Sequence, residues 1–508
     1  MAPCELYDVV GEVDEVNKPI TLAEEYLNLR ERAVSGVKWN AISQFTGQGI
    51  TIICSIILSR ILSPSLFGLF AMIAVLGNLI NLIIGMGFNH AVIQNRTLTR
   101  KDLDSFFWLN IIVGSVTSAL FYFLAPVITA FYGQPELLHV AQVFSIVFII
   151  ASATIVPGAL LAKDLRFKKL ATSNILAFLV SYGGALVLGY YSFGVWALVF
   201  QYIAFQVVTL SFNLIFASWW PAFTLQRHSL KKITKFVSRF LPTQILDYFT
   251  SNIDLMLVGK FFGKNELGIY GRAQGIIMMP VNSLSILLSK SFFSIFSILQ
   301  EDASKLRSNF VSSAKLLMIT ISPLLIAIAL VPGDFVVIVF GDQWLEMSPL
   351  LPVLCAAGIL GSFNALNDGL YTALGRADIL LRVVVIEKIA LVVMIIAGMF
   401  FGLLGIAYAR LAAQVFSFVL RVHQQKKVID VSFMFWARSF MKIIFAGMVM
   451  IVAVVLLQSS LADFSLTFRF PIVVSIAIMS FFICLLLLRE EIVFKLRDTL
   501  YGFGRKKM

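Results

Sequence analysis

Polar and charged residues recur at helical spacing inside otherwise apolar stretches of this chain. Asp247, Ser251 and Asp254 follow an i, i+4, i+7 pattern that puts them on one helix face, in a segment that also holds Thr243, Gln244, Thr250 and Asn252. An earlier segment carries Gln44, Gly47, Gln48, Thr51 and Ser55 on a similar stripe. Such stripes cannot face hydrocarbon cheaply, so they line a wet cavity or join helices through hydrogen bonds. Cations form a second group. Lys290, Lys388 and Arg410 lie inside apolar runs, and Arg60, Lys260 and Arg272 cluster near the ends of three of them. A helix-bundle interior with more Lys and Arg than acid suits an anionic ligand, phosphate above all. Two of these cations have structural readings as well. Lys388 has Glu387 and Arg382 nearby for local pairing or snorkelling, and Arg410 has Asp254 or Asp368 as a partner. Lys290 has no acid in its own segment and is the sharper site candidate. Asp247 and Asp254 stand as ion-coupling or structural acids.

The elements that position these residues are membrane spans. The chain is 59% hydrophobic and 13% charged, with a mean hydropathy of +0.90, which excludes a soluble globular class. About 20 apolar residues cross a bilayer. Fourteen stretches qualify: 40–61, 66–92, 105–131, 137–162, 170–192, 195–218, 236–261, 267–299, 310–339, 348–374, 379–401, 403–424, 436–459 and 467–488. The fold class is therefore an all-α polytopic membrane protein with 14 transmembrane helices. The net charge of +12 is distributed by side. With the N-terminus inside, about thirty Lys and Arg fall on the cytoplasmic loops and tails and about five on the opposite loops, so both termini are expected in the cytoplasm. This distribution does not suggest nucleic-acid binding. Residues 1–35 are acidic, lack an apolar core of the signal-peptide kind, and read as a cytosolic arm whose Leu22–Ala33 part feeds the first span as an amphipathic helix. Trp108, Trp196, Trp219, Trp220 and Trp436 read as interfacial belts. Cys4, Cys54, Cys355 and Cys484 and four scattered histidines have neither disulfide nor metal-ligand spacing.

A shift of 200 residues lays the first two spans over spans 7 and 8. Arg60 meets Lys260, Gly68 meets Gly268, and His90 meets Lys290. The division that follows has an arm at 1–35, an N-lobe at 36–218 and a basic linker at 219–235. A C-lobe at 236–425, an appended helix pair at 436–488 and a basic tail at 489–508 complete it. Two six-helix lobes starting on the same side imply parallel repeats, with a substrate site between them. No Ser/His/Asp arrangement or phosphate-cradling glycine loop is evident, and the outer loops are short. A primary pump and a transferase with its own nucleotide-sugar domain are disfavoured, and no enzyme is expected.

Several motifs carry a family resemblance: Gly36-Val-Lys-Trp39, Leu165-Arg-Phe-Lys-Lys-Leu170, and Asn252-Ile-Asp254-Leu-Met-Leu-Val-Gly259 with Gly268-Ile-Tyr270-Gly-Arg-Ala273 and Pro280. In these the chain resembles the polysaccharide transport family of the multidrug/oligosaccharidyl-lipid/polysaccharide (MOP) exporter superfamily. It is most similar to Wzx-type lipopolysaccharide and exopolysaccharide flippases of the colanic acid exporter-like branch. The resemblance implies an inner-membrane flippase that moves undecaprenyl-diphosphate-linked oligosaccharide between leaflets by alternating access through a cationic cavity. It implies no cofactor beyond coupling to protons, sodium or the membrane potential. Expected partners are membrane lipids, the lipid-linked oligosaccharide, and a polysaccharide polymerase with other export components. Asp254 matches the family motif. Two rival readings are a cation-coupled multidrug exporter centred on Asp247 and Asp254, and a membrane polysaccharide polymerase or ligase.

Overall fold

The computed structural model describes residues 22–94, 98–224, 227–461 and 464–490, with side chains described except at 22–34, 37, 86–94, 227–243, 285–294 and 377. Regular structure among them is helical. The helices are α1 (Leu22–Ile61), α2 (Pro64–Gln94), α3 (Arg100–Tyr132), α4 (Leu137–Phe144), α5 (Ile146–Lys163), α6 (Phe167–Tyr190), α7 (Val195–Ala217), α8 (Arg227–Phe261), α9 (Lys264–Ile298), α10 (Ala303–Leu330), α11 (Pro332–Val339), α12 (Leu350–Ala373), α13 (Ala377–Met399), α14 (Gly402–Ile429), α15 (Phe433–Ser460) and α16 (Leu466–Leu487). A 3-10 turn at Asp342–Met347 follows α11.

Eleven segments among the described residues are long and apolar enough to cross a membrane. The chain is a multi-pass membrane protein. Helices α8, α9 and α13 have 35, 35 and 23 residues but lie outside that set. They carry Asp247, Asp254, Lys260, Arg272, Lys290 and Lys388 of the residues that the sequence singles out, while Arg60 and Arg410 lie on α1 and α14.

Local chemistry accounts for the helix ends. Thr99 and Asp102 form a reciprocal capping box at the start of α3, and Gly133 closes it in the left-handed conformation at φ 65°. The 137–162 stretch remains a single span, Leu137–Lys163, in which Ser145 separates α4 from α5 while keeping helical dihedrals, its hydroxyl donating to the Gln142 carbonyl. One expected span is broken. The 310–339 stretch ends at Leu330, and Pro332 restarts it as α11, where a proline at the first helical position loses no hydrogen bond. Helix α1 runs unbroken from Leu22, as expected for the Leu22–Ala33 segment. Helix α8 starts at Arg227, so the second half of the expected 219–235 linker is helical.

The belt reading of two tryptophans is corrected. Trp436 is buried, stacked on Phe440 at 4.9 Å and edge-on to Phe363 at 5.0 Å, with its Nε1 donating to Gln425 Oε1 at 2.6 Å. Trp219 is also buried, against Phe107 at 5.7 Å. Both rings sit in pockets between helices, where burial of a large ring outweighs interfacial anchoring.

The first helices meet the later ones where α2 crosses α9. A Cβ on Gly68 would overlap the Lys264 carbonyl oxygen, and a Cβ on Gly268 would overlap the Pro64 carbonyl oxygen. Residues 64 and 68 thus meet 264 and 268 reciprocally, at an offset of 200. A reciprocal contact of this kind is what a two-fold axis produces.

Candidate functional site

Arg272 sits on α9 facing α1. Its guanidinium donates to the Ser55 carbonyl at 2.7 Å, to the Ser59 hydroxyl at 2.6 Å and to the Ser55 hydroxyl. Ser55 and Ser59 are one helical turn apart and share a face. The Arg272 guanidinium also lies 4.5 Å from the Phe67 ring centre and 5.9 Å from that of Phe340. No carboxylate pairs with it among the described residues, and its Nε is buried with no hydrogen-bond partner there. The guanidinium is thus surrounded by hydroxyls, a backbone carbonyl and aromatic rings. The Ser59 carbonyl extends the junction by accepting from Trp344 Nε1 at 2.7 Å and Gln343 Nε2 at 2.7 Å.

The other expected cations of this region also meet backbone. Arg60 donates to the Ile338 carbonyl, and to the Val339 carbonyl at 3.4 Å. Lys260 donates to the Phe131 carbonyl and lies 4.8 Å from that residue's ring centre. Deeper along α1, Gln48 donates to the Ser283 hydroxyl of α9 at 2.8 Å, and Gln44 is half-buried one turn away. Arg272, Arg60, Lys260 and Gln48 therefore line junctions between α1–α7 and α8–α14. Lys290 belongs to α9, but its side chain lies outside the described residues.

The α8 stripe turns elsewhere. Asp254 is buried at 1% exposure, and its carboxylate pairs with Arg410 of α14. It also accepts from the Tyr270 hydroxyl at 2.9 Å and Gln274 Nε2 at 3.2 Å. Asp247 pairs with Lys388 of α13 at 2.8 Å, and Ser251 accepts from the same ammonium at 2.7 Å. Three positions that share a face thus join α8 to α13 and α14. Lys388 pairs across to α8 rather than locally, because Glu387 is held by Arg421 at 2.7 Å.

Sequence reading missed Arg421. It is 5% exposed and bridges Glu387 of α13 and Asp368 of α12, the latter at 2.6 Å. The signal was present in α14. Arg410, Gln414, Ser417, Arg421 and Gln425 fall at i, i+4, i+7, i+11 and i+15, one face throughout. Each of them bonds a polar group of another helix: Gln414 meets Asn364 at 2.9 Å, and Ser417 donates to Glu387. No group of three His, Cys, Asp or Glu able to hold a metal occurs among the described residues.

A family model described as polysaccharide biosynthesis protein matches residues 57–349, more than half of the chain. The chain belongs to the polysaccharide biosynthesis protein family. Among its relatives, the teichuronic acid biosynthesis protein TuaB of Bacillus subtilis (strain 168) is 28% identical over 354 residues, covering 69% of this chain and 73% of TuaB. The lipopolysaccharide biosynthesis protein WzxC of Escherichia coli (strain K12) is 24% identical over 401 residues, covering 78% of this chain and 81% of WzxC. The solved structure of the lipid II flippase MurJ in an inward closed conformation superposes with a TM-score of 0.72 at 14% identity, covering 88% of this chain and 98% of that one. The family member described here shares that fold.

Proposed function

We propose that this polysaccharide biosynthesis protein is a transporter that flips undecaprenyl-diphosphate-linked oligosaccharide repeat units from the cytoplasmic to the periplasmic leaflet of the inner membrane. No covalent step is needed. Cargo binding shifts the balance between two orientations of the molecule by its differential affinity for them. The observation that carries the reading is Arg272, a guanidinium without a carboxylate partner among the described residues, held where the two helix sets meet. A diphosphate would replace the Ser55 and Ser59 contacts with charge-assisted hydrogen bonds, which are roughly twice as strong as neutral ones. Arg60, Lys260 and Lys290 would add positive potential along the path, and Gln44 and Gln48 would offer hydrogen bonds to sugar hydroxyls. Arg410 is proposed as structural, because Asp254 already compensates it.

The architecture proposed with this function has fourteen spans, counting α8, α9 and α13. They form two parallel six-helix lobes at 36–218 and 236–425, with α15 and α16 appended and both termini cytoplasmic. The reciprocal contact of Gly68 and Gly268 supports the repeat. A multidrug exporter centred on Asp247 and Asp254 is less well supported, since both acids are bonded to cations.

The test is leaflet-resolved detection of the lipid-linked oligosaccharide in a deletion strain complemented with Arg272→Ala or Arg272→Lys. Cytoplasmic accumulation with Arg272→Ala, at wild-type protein levels, is the expected result, and Arg272→Lys should recover only part of the export. Full glycan export by well-expressed Arg272→Ala would remove the assignment.

A further inference from the structure

A second cationic site lies apart from the junction at Arg272. The start of α13 and the last turns of α14 enclose a cavity of about 270 Å³ lined by Arg376, Asp378, Ile379, Arg382, Gln424 and Lys427. On α13, Ile379 and Arg382 are three residues apart, and on α14 Gln424 and Lys427 are too, so each helix turns one face to the cavity. The charges are unequal. Arg376 is taken up by Asp378 at 3.3 Å, whereas Arg382 and Lys427 have no carboxylate partner among the described residues. Two cations from different helices without a carboxylate partner among the described residues thus share one cavity with Gln424, a donor set suited to phosphate oxygens.

The surroundings indicate where that phosphate comes from. Below the cavity, α13 presents Leu381, Val385 and Ile389 at four-residue intervals, 61%, 47% and 59% exposed. Ile386 is exposed beside them at 45%, so an apolar surface continues along α13 from Leu381, the neighbour of Arg382 in sequence. Free phosphate would have no use for it. The cavity also lies on the side where the chain concentrates Lys and Arg, next to Lys426 in the last turn of α14.

We propose that this cavity holds the phosphate of an anionic phospholipid headgroup, with an acyl chain lying along Leu381, Val385 and Ile389. Such a lipid would fasten α13 to α14 at the end where Asp368, Glu387 and Arg421 already cross-link α12, α13 and α14. The site is independent of the flipped cargo and of Arg272.

The experiment compares wild type with Arg382→Gln/Lys427→Gln in phosphatidylcholine nanodiscs carrying increasing phosphatidylglycerol. The readout is the number of phosphatidylglycerol molecules retained, counted by native mass spectrometry. Each cation near an anionic headgroup contributes about fivefold, so the double variant should need about 30-fold more phosphatidylglycerol for half-saturation of one site. Lys426→Gln, one position outside the cavity, should retain lipid as wild type does. Should the double variant aggregate, each single variant, expected about fivefold weaker, answers the same question. Equal retention by wild type and the cavity variants would overturn the proposal. So would displacement of the retained lipid by millimolar inorganic phosphate, which would identify the ligand as free phosphate.

Discussion

Asp254 shows how a membrane interior tolerates an ionised carboxylate. Its charge is met by Arg410 at Oδ2, the same oxygen accepts from Tyr270 and Gln274, and Oδ1 accepts from the Leu255 N–H at 3.0 Å. Removing one member of such a pair leaves a buried uncompensated charge, at a cost of about 3–5 kcal/mol, whereas replacing both with apolar or neutral groups is often harmless. Asp254→Asn should therefore unfold at markedly lower temperature in detergent. Asp254→Asn/Arg410→Met should regain most of the loss. Wild-type thermal stability in Asp254→Asn alone would show that the pair contributes nothing. At this scale the sequence marked the charged residues of the helix interiors more readily than their partners. Asp254 and Asp368 were both open to Arg410, and the fold gives the first to Arg410 and the second to Arg421. Arg421 escaped notice because its two acids lie 34 and 53 positions away, on helices whose relative rotation a single sequence does not encode.

Among the elements, α2 and α9 cross backbone to backbone. Each presents a glycine to the backbone of the other, and neither Gly68 nor Gly268 has space for a methyl group. Overpacking a close contact costs about 1–3 kcal/mol. Gly68→Ala should push the two helices apart and loosen the neighbouring junction. A cysteine placed at the buried Ser59 would then react with a membrane-impermeant maleimide faster in the Gly68→Ala background than in its absence. Equal labelling rates would mean that the crossing does not hold the junction shut. Most helix positions were legible because apolar length alone marks a span. The break at Val331 was not, since an apolar run looks the same whether one helix or two occupy it. Trp436 misled for a related reason: its position near a helix end fits either a membrane interface or a core pocket.

For the molecule as a whole, α15 and α16 are fastened at both ends. At one end Arg469 makes a bidentate pair with Asp334 of α11, the closest contact at 2.7 Å. At the other, buried Glu490 takes Lys315 of α10 at 2.8 Å and Lys442 of α15 at 3.6 Å. Hydrogen bonds to charged groups contribute about 1.5–3 kcal/mol. Arg469→Asp should release the end of α16 to limited proteolysis, and Asp334→Arg/Arg469→Asp should restore protection. Identical cleavage of all three proteins would mean that apolar packing alone docks the pair.

The crossing of Gly68 and Gly268 has an electrical consequence. A passage wide enough for an oligosaccharide on a lipid is far wider than a hydrated proton or sodium ion, and a membrane that lets these through loses its stored voltage. A transporter working as proposed above therefore has to be shut on one face at every moment while cargo moves through the other. Side chains make poor stoppers, because they swing between rotamers and leave gaps. Backbone pressed on backbone has no such freedom, so two residues with nothing beyond Cα are well suited to keeping the membrane charged.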